Sequence, residues 1–250
     1  MHISRRNLLL AGCVLFAGCD GGEGTLSPAP QPPPAPPPPA PVTLNFSFAD
    51  GLAGWEANYA DYTLGQENSI GFSFGHERLP PPLATTLGFF LSGNNASDDL
   101  FMYISRRLDG LAANTRYRVD TSITFATNAA RNCAGVGGQP GESVFIKAGA
   151  ADSAPAKVVQ NGNYVTVDVD KGQQGNSGAE LVIIGNFAQD TPGDCLNPEY
   201  RRKTLSSGGN GPVVTSDSGG RLWLVIGTES GFESVTRIYY LNGSITLTPV

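Results

Sequence analysis

The sequence predicts an all-β fold for residues 43–250: an antiparallel β-sandwich, jelly-roll-like, of about ten strands. Three observations carry that expectation. Apolar residues recur with a period of two rather than 3.6. No apolar stripe of helix length occurs. Turn formers are dense, with 32 Gly and 19 Pro in 250 residues, which suits short strands joined by tight connections.

The clearest strand is 116–125. There Tyr117, Val119, Thr121, Ile123 and Phe125 share one face, and charged or small polar residues take the other. Similar runs lie at 44–48, 87–91, 100–107, 143–148, 164–169, 181–187, 222–226, 235–241 and 244–248. Turn clusters such as Gly208-Gly209-Asn210-Gly211-Pro212 separate them, and Leu241-Asn242-Gly243-Ser244 reads as a closing hairpin. Trp55 reads as an anchor at the start of the core. Trp223, in the continuous apolar run Leu222-Trp223-Leu224-Val225-Ile226, reads as core outright.

Residues 1–18 read as a signal peptide. Arg5 and Arg6 form a basic start, and an apolar stretch too short to span a bilayer follows. Phe16-Ala17-Gly18-Cys19 resembles the bacterial lipobox, which makes Cys19 the lipidated residue of a membrane-anchored envelope lipoprotein carrying thioether lipid and palmitate. Leu10-Ala11-Gly12-Cys13 matches the motif in letters but would leave an apolar stretch of only a few residues. Ser4-Arg5-Arg6-Asn7-Leu8-Leu9 resembles a twin-arginine export motif, and an ordinary basic start reads equally well. Asp20 resembles an inner-membrane retention signal, and the choice of membrane stays open.

Residues 19–42 read as a stalk. Ten of the fourteen residues from 28 to 41 are proline, and an extended polyproline segment of that length spans about 45 Å. Removing residues 1–18 takes away two arginines and no acid, so the formal charge of −6 becomes −8. Such a chain has no electrostatic reason to seek nucleic acid or anionic headgroups. Its membrane contact is through the lipid.

With Cys13 removed and Cys19 lipidated, Cys133 and Cys195 remain as one pair in an oxidising compartment, which predicts a disulfide. A two-cysteine metal site is the rival, but there is no CxxC, and one histidine, His76, survives processing.

Asn94, Asn95, Ser97, Asp98 and Asp99 form the densest polar cluster. Hard oxygen donors at that spacing suit a structural Ca²⁺. The competing reading is an Asx-rich turn. Asp168-Val169-Asp170-Lys171-Gly172 imitates the start of an EF-hand loop, but the fifth position is Gly172 and the twelfth is Ala179, so a β-turn is expected instead. Tyr59 and Tyr62 read as an exposed aromatic platform for a sugar, with Asp61, or Glu56 and Asn58, meeting its hydroxyl groups. No nucleophile elbow, HExxH, phosphate loop or dinucleotide fingerprint is present in the sequence.

Taken together, Gly54-Trp55-Glu56-Ala57, Ser97-Asp98-Asp99-Leu100-Phe101-Met102-Tyr103, Asp170-Lys171-Gly172 and Ser230-Gly231-Phe232-Glu233 resemble a family of secreted or lipid-anchored bacterial β-sandwich proteins. No catalytic or binding residues are assigned there to carry over. More loosely, Phe48-Ala49-Asp50-Gly51 and the segment 111–119 resemble jelly-roll carbohydrate-binding modules. Those modules often hold a structural calcium with an Asp on the last strand, where this chain has Asn242.

The leading expectation is a lipid-anchored, non-catalytic domain of the periplasm or cell surface that binds a glycan or an envelope protein, with no certain cofactor and a structural calcium as a candidate ion. The alternatives are a structural envelope component without a small ligand, and a glycan-active enzyme built on carboxylates such as Asp98 with Glu142 or Glu233.

Overall fold

The computed structural model describes residues 37–96 and 98–250. The expected signal peptide, the expected lipidation site Cys19, most of the expected stalk and Ser97 lie outside the described residues. The expected all-β, jelly-roll-like antiparallel sandwich is the observed fold. It has fifteen strands rather than about ten, and one four-residue helix, Glu67–Ile70, among the described residues.

One sheet is built on the long strands β7 (Arg116–Thr127) and β15 (Val235–Pro249). Its order is β12 (Arg201–Ser206), β7, β15, β5 (Leu87–Asn94), β4 (Ser73–Arg78). Two short strands complete it: β13 (Val213–Thr215) pairs with the start of β7, and β1 (Val42–Ser47) pairs with the far half of β15 beyond β5. The second sheet runs β11 (Leu181–Asn186), β8 (Val144–Ala151), β14 (Leu222–Ser230), β6 (Leu100–Leu108), β2 (Glu56–Ala60).

Between the sheets, alternate residues of each strand make one core. Tyr117, Val119, Ile123 and Phe125 of β7 meet Leu222, Leu224 and Ile226 of β14, all buried. Each such side chain contributes roughly 1.5–3 kcal/mol on leaving water. Trp55 lies there as expected, its ring 4.9 Å from that of Phe46.

The closing hairpin is not formed. Residues 235–249 are one continuous strand, with a bulge against β7 between Tyr240 and Asn242. The extra residue reverses the alternation. Ile238 and Tyr240 face the core before the bulge, and Ile245 and Leu247 face it afterwards. Gly243 follows the bulge because a Cβ there would stand 2.5 Å from the Ser122 carbonyl oxygen. The Asn-Gly pair therefore marks a bulge and a close approach instead of a turn.

The outer face of the second sheet is half covered. A small three-stranded sheet, β3 (Tyr62–Thr63), β10 (Tyr164–Val167), β9 (Lys157–Gln160), serves as a flap together with residues 168–180. Val167 and Val169 of the flap join Ala60, Phe101, Tyr103, Leu181 and Val225 in a second apolar cluster. The flap does not extend over Trp223. That residue is partly exposed, contrary to the expectation that it is core. A continuous apolar run implies burial on both faces, and the start of β14 is covered on only one.

Candidate functional site

The carboxylates and ammoniums beneath the flap form one network. Glu229 of β14 and Lys147 of β8 lie on the outer face of the sheet, both fully buried, and pair through Glu229 Oε2 and Lys147 Nζ. Lys147 also donates to the carbonyls of Lys171 at 2.7 Å and Asn176 at 3.0 Å. From the loop after β10, Lys171 Nζ reaches Glu229 Oε1 at 2.6 Å and Asp61 Oδ2 at 2.7 Å. Asp99 stands beside them, accepting from Tyr164 and Gln173 at 3.3 Å each. The backbone N–H of Gln174 donates to Glu229 Oε1 at 2.8 Å.

Asp61, Asp99 and Glu229 bring one oxygen each to within 4.8 Å of one another, a grouping that by donor type could hold a metal ion. The Lys171 ammonium already stands against two of the three. Three carboxylates and two ammoniums leave one excess negative charge beside a pocket of about 210 Å³ that Asp61, Asp99 and Lys171 help to line.

The protonation states follow from that environment. Burial, then the charges of Glu229 and Asp61, pushes Asp99 up to about 7. Burial also holds Asp61 above the ordinary carboxylate range and Lys147 below the ordinary lysine range. Although burial opposes its charge, Lys171 is held above its usual value by Asp61 and Glu229.

A pH dependence follows. Below about 3.8 Asp99 is protonated whether the chain is folded or not. Between there and about 7 only the unfolded chain ionises it, so stability falls as pH rises through that window and levels off above it. The component amounts to roughly 4 kcal/mol at most. Urea unfolding of the wild type and of Asp99→Asn, compared from about pH 4 to about pH 8, is expected to show the extra decline in the wild type alone.

The expected sugar platform takes a different form. Tyr62 is 4% exposed and stacks on Tyr59 with ring centroids 5.0 Å apart. Phe72 packs on Tyr59 at 4.6 Å, and Lys157 Nζ sits 3.6 Å from its centroid. Burial, above all, raises the Tyr62 hydroxyl to about 12. Tyr62 is not exposed as expected because it belongs to the main core, against which half-buried Tyr59 and Phe72 also pack. Asp61, 2% exposed, is committed to Lys171, and Asn58 accepts from the Tyr59 N–H.

The expected calcium loop is likewise divided among separate partners. Asn95 is buried, accepting from the N–H groups of Asp99 and Leu100 and donating to the carbonyls of Ser230 and Phe232. That is the Asx-turn alternative. Asn94 donates to the Ser69 carbonyl, and exposed Asp98 receives Gln174 on its backbone oxygen. Asp99 alone faces the charge network.

Cys133 and Cys195 form the expected disulfide, with Cα atoms 5.6 Å apart. His76 bonds the Phe48 carbonyl at 2.7 Å through Nε2.

Where the flap ends, the outer face of the sheet opens into a groove of about 400 Å³, lined by Trp223, Glu56, Ser105, Arg106, Arg107 and Asp109. Strand register puts Trp223, Arg107, Ser105 and Glu56 on that face, whereas Arg106 alternates to the other face of β6, in register with Leu224. Trp223 lies opposite Arg107, and Ser105 lies opposite Glu56. Arg107 is tied to Asp109 at 3.1 Å. Sequence reasoning assigned Glu56 to a sugar but placed Trp223 in the core. Only a knowledge of which half of the sheet is covered would have joined them.

No family model matches the chain, and no curated protein matches it. Solved structures do. The K1 adhesin domain of Lys-gingipain from Porphyromonas gingivalis W83 is 13% identical, with 82% of this chain and 97% of that one covered and a TM-score of 0.36. The CBM22-1 xylan-binding domain of Paenibacillus barcinonensis Xyn10C is 12% identical, with 84% and 96% covered and a TM-score of 0.37. TmCBM27, a mannan-recognising carbohydrate-binding module, is 10% identical, with 83% and 98% covered and a TM-score of 0.38. The fold neighbours of this chain are thus adhesin and carbohydrate-binding domains.

Proposed function

We propose that residues 43–250 bind a neutral glycan without catalysis, in the groove at Trp223, and that lipidated Cys19 holds the chain to the cell-envelope membrane. The observation that carries the binding reading is a partly exposed tryptophan among side chains that bond hydroxyl groups. A sugar ring offers an apolar C–H face to an indole and pairs of hydroxyls to carboxylates and guanidiniums. Glu56 and Asp109 balance Arg106 and Arg107, which favours an uncharged ligand. The carboxylates that converge elsewhere, Asp61 and Glu229, are engaged by lysines. The proposal is therefore of a binding domain and not of a glycoside hydrolase.

Calorimetric titration against neutral oligosaccharides, chosen from an array, tests this. Trp223→Ala is expected to weaken binding tenfold or more, a loss of about 1.4 kcal/mol or greater, while the melting temperature changes little because the indole lies outside the main core. Unchanged affinity would remove the groove as the site. Silence of the whole array would leave a structural envelope component as the better account.

A further inference from the structure

We infer that Lys171 and Asp61 become covalently joined in the folded protein, the Lys171 amine condensing with the Asp61 side-chain carboxyl to give an isopeptide bond and one water. Three features of the network meet the needs of that reaction. The nucleophile and the carboxyl are in contact, with Nζ 2.7 Å from Asp61 Oδ2. A base touches the same nitrogen, Glu229 Oε1 at 2.6 Å. The groups are withdrawn from bulk solvent: Glu229 is fully buried, Asp61 and Lys171 nearly so, the Phe101 ring lies 5.2 Å from Nζ, and the small pocket beside Asp61 and Lys171 gives the released water a way out. The backbone of Asp61 holds φ at +64°, a conformation uncommon for a residue with a side chain.

The step balances without any co-reactant. Glu229 takes a proton from the Lys171 ammonium and frees the nitrogen lone pair. The nitrogen attacks Asp61 Cγ, the new C–N bond forms, and one Cγ–O bond breaks. Both protons of the departing water come from Nζ. Glu229 and the neighbouring Asp99 carboxyl relay them and return to their starting states.

Two physical terms favour the product. Fixed contact replaces a bimolecular encounter, an advantage equivalent to about 10⁵–10⁸ M. A neutral amide also replaces a buried ion pair, whose desolvation is costly. Lys147 remains as the counter-charge of Glu229. The elevation of Asp99 persists as well, because burial and Glu229 both survive the reaction. The bond would fix the flap to the β2 edge of the sheet, joining residues 110 positions apart in sequence.

Peptide mapping of the full-length protein, reduced and digested with trypsin, tests the inference. The expected result is no cleavage after Lys171, and a joined species containing Lys171 and Asp61 that is lighter than its two peptides by one water. Asp61→Asn is expected to give the same joined species with loss of ammonia instead. Lys171→Arg is expected to give none, and Glu229→Gln to give little. Linear wild-type peptides of full mass would overturn the inference. So would a bond that tandem fragmentation places on Glu229. The wild-type digest decides even if every variant fails to fold.

Discussion

Glu229→Ala is expected to lower unfolding stability by about 3–5 kcal/mol, the cost of stranding a buried charge. Lys147 is the reason. Its ammonium is fully buried, and without Glu229 it keeps only the carbonyls of Lys171 and Asn176. Two neutral acceptors do not replace a carboxylate. The loss belongs to the unpaired charge and not to the pair, so removing both partners should be milder. Lys147→Met with Glu229→Leu is expected to recover part of the deficit, because apolar residues of similar size spare the desolvation of two ions, while Lys171 keeps Asp61 alone and the Gln174 N–H loses its acceptor. Urea unfolding at constant pH measures all three proteins. A loss below about 1 kcal/mol for Glu229→Ala would mean that the pair behaves as an exposed one and that water reaches it.

Loss of the disulfide is expected to cost up to about 4 kcal/mol, as the chain-entropy treatment gives for a loop of this length. Cys133 and Cys195 are 62 positions apart. Each lies in a long connection, 128–143 between β7 and β8 and 187–200 between β11 and β12. Near the strands the connections are also tied by hydrogen bonds from the Phe187 and Ala188 N–H groups to the Gly141 carbonyl. Gln189 donates its side-chain amide to the carbonyls of Thr127 and Glu199, and its backbone N–H bonds the Ala129 carbonyl. The Cys133→Ser, Cys195→Ser variant should therefore unfold at lower urea and lose hydrogen-exchange protection first in those connections. Equal midpoints with and without reductant would show that packing alone positions the loops.

Much of the sandwich was legible because its strands are amphipathic. Tyr117, Val119, Thr121, Ile123 and Phe125 were placed on one face by alternation, and all five are buried. Strands lacking that contrast were missed. β12, Arg-Arg-Lys-Thr-Leu-Ser, is an edge strand whose polar residues face water except for buried Lys203, and β4, Ser-Phe-Gly-His-Glu-Arg, is the other edge strand. The bulge in β15 was read as a turn because Asn-Gly serves both.

The site was less legible. Lys147 interrupts an apolar run, and its partner Glu229 is 82 positions away. Nothing local distinguishes such a lysine from one that reaches solvent. Lys171 was assigned to a turn and lies beside one, with Asp170 accepting from Gly172 and Ala179. Its side chain turns inward because the flap folds over an acidic patch, a consequence of tertiary structure alone.

The placement of β1 gives the domain a directional mechanical response. Six residues of β1 lie antiparallel to the far half of β15, from Val42 opposite Leu247 to Ser47 opposite Asn242. The connections that carry the disulfide lie at the opposite end of these strands. Tension between residue 41 and Val250 would part the pairs one after another, like a zip, at low force. Tension between residue 41 and the disulfide end would load all six together, like a lap joint, and the same strand would resist far more.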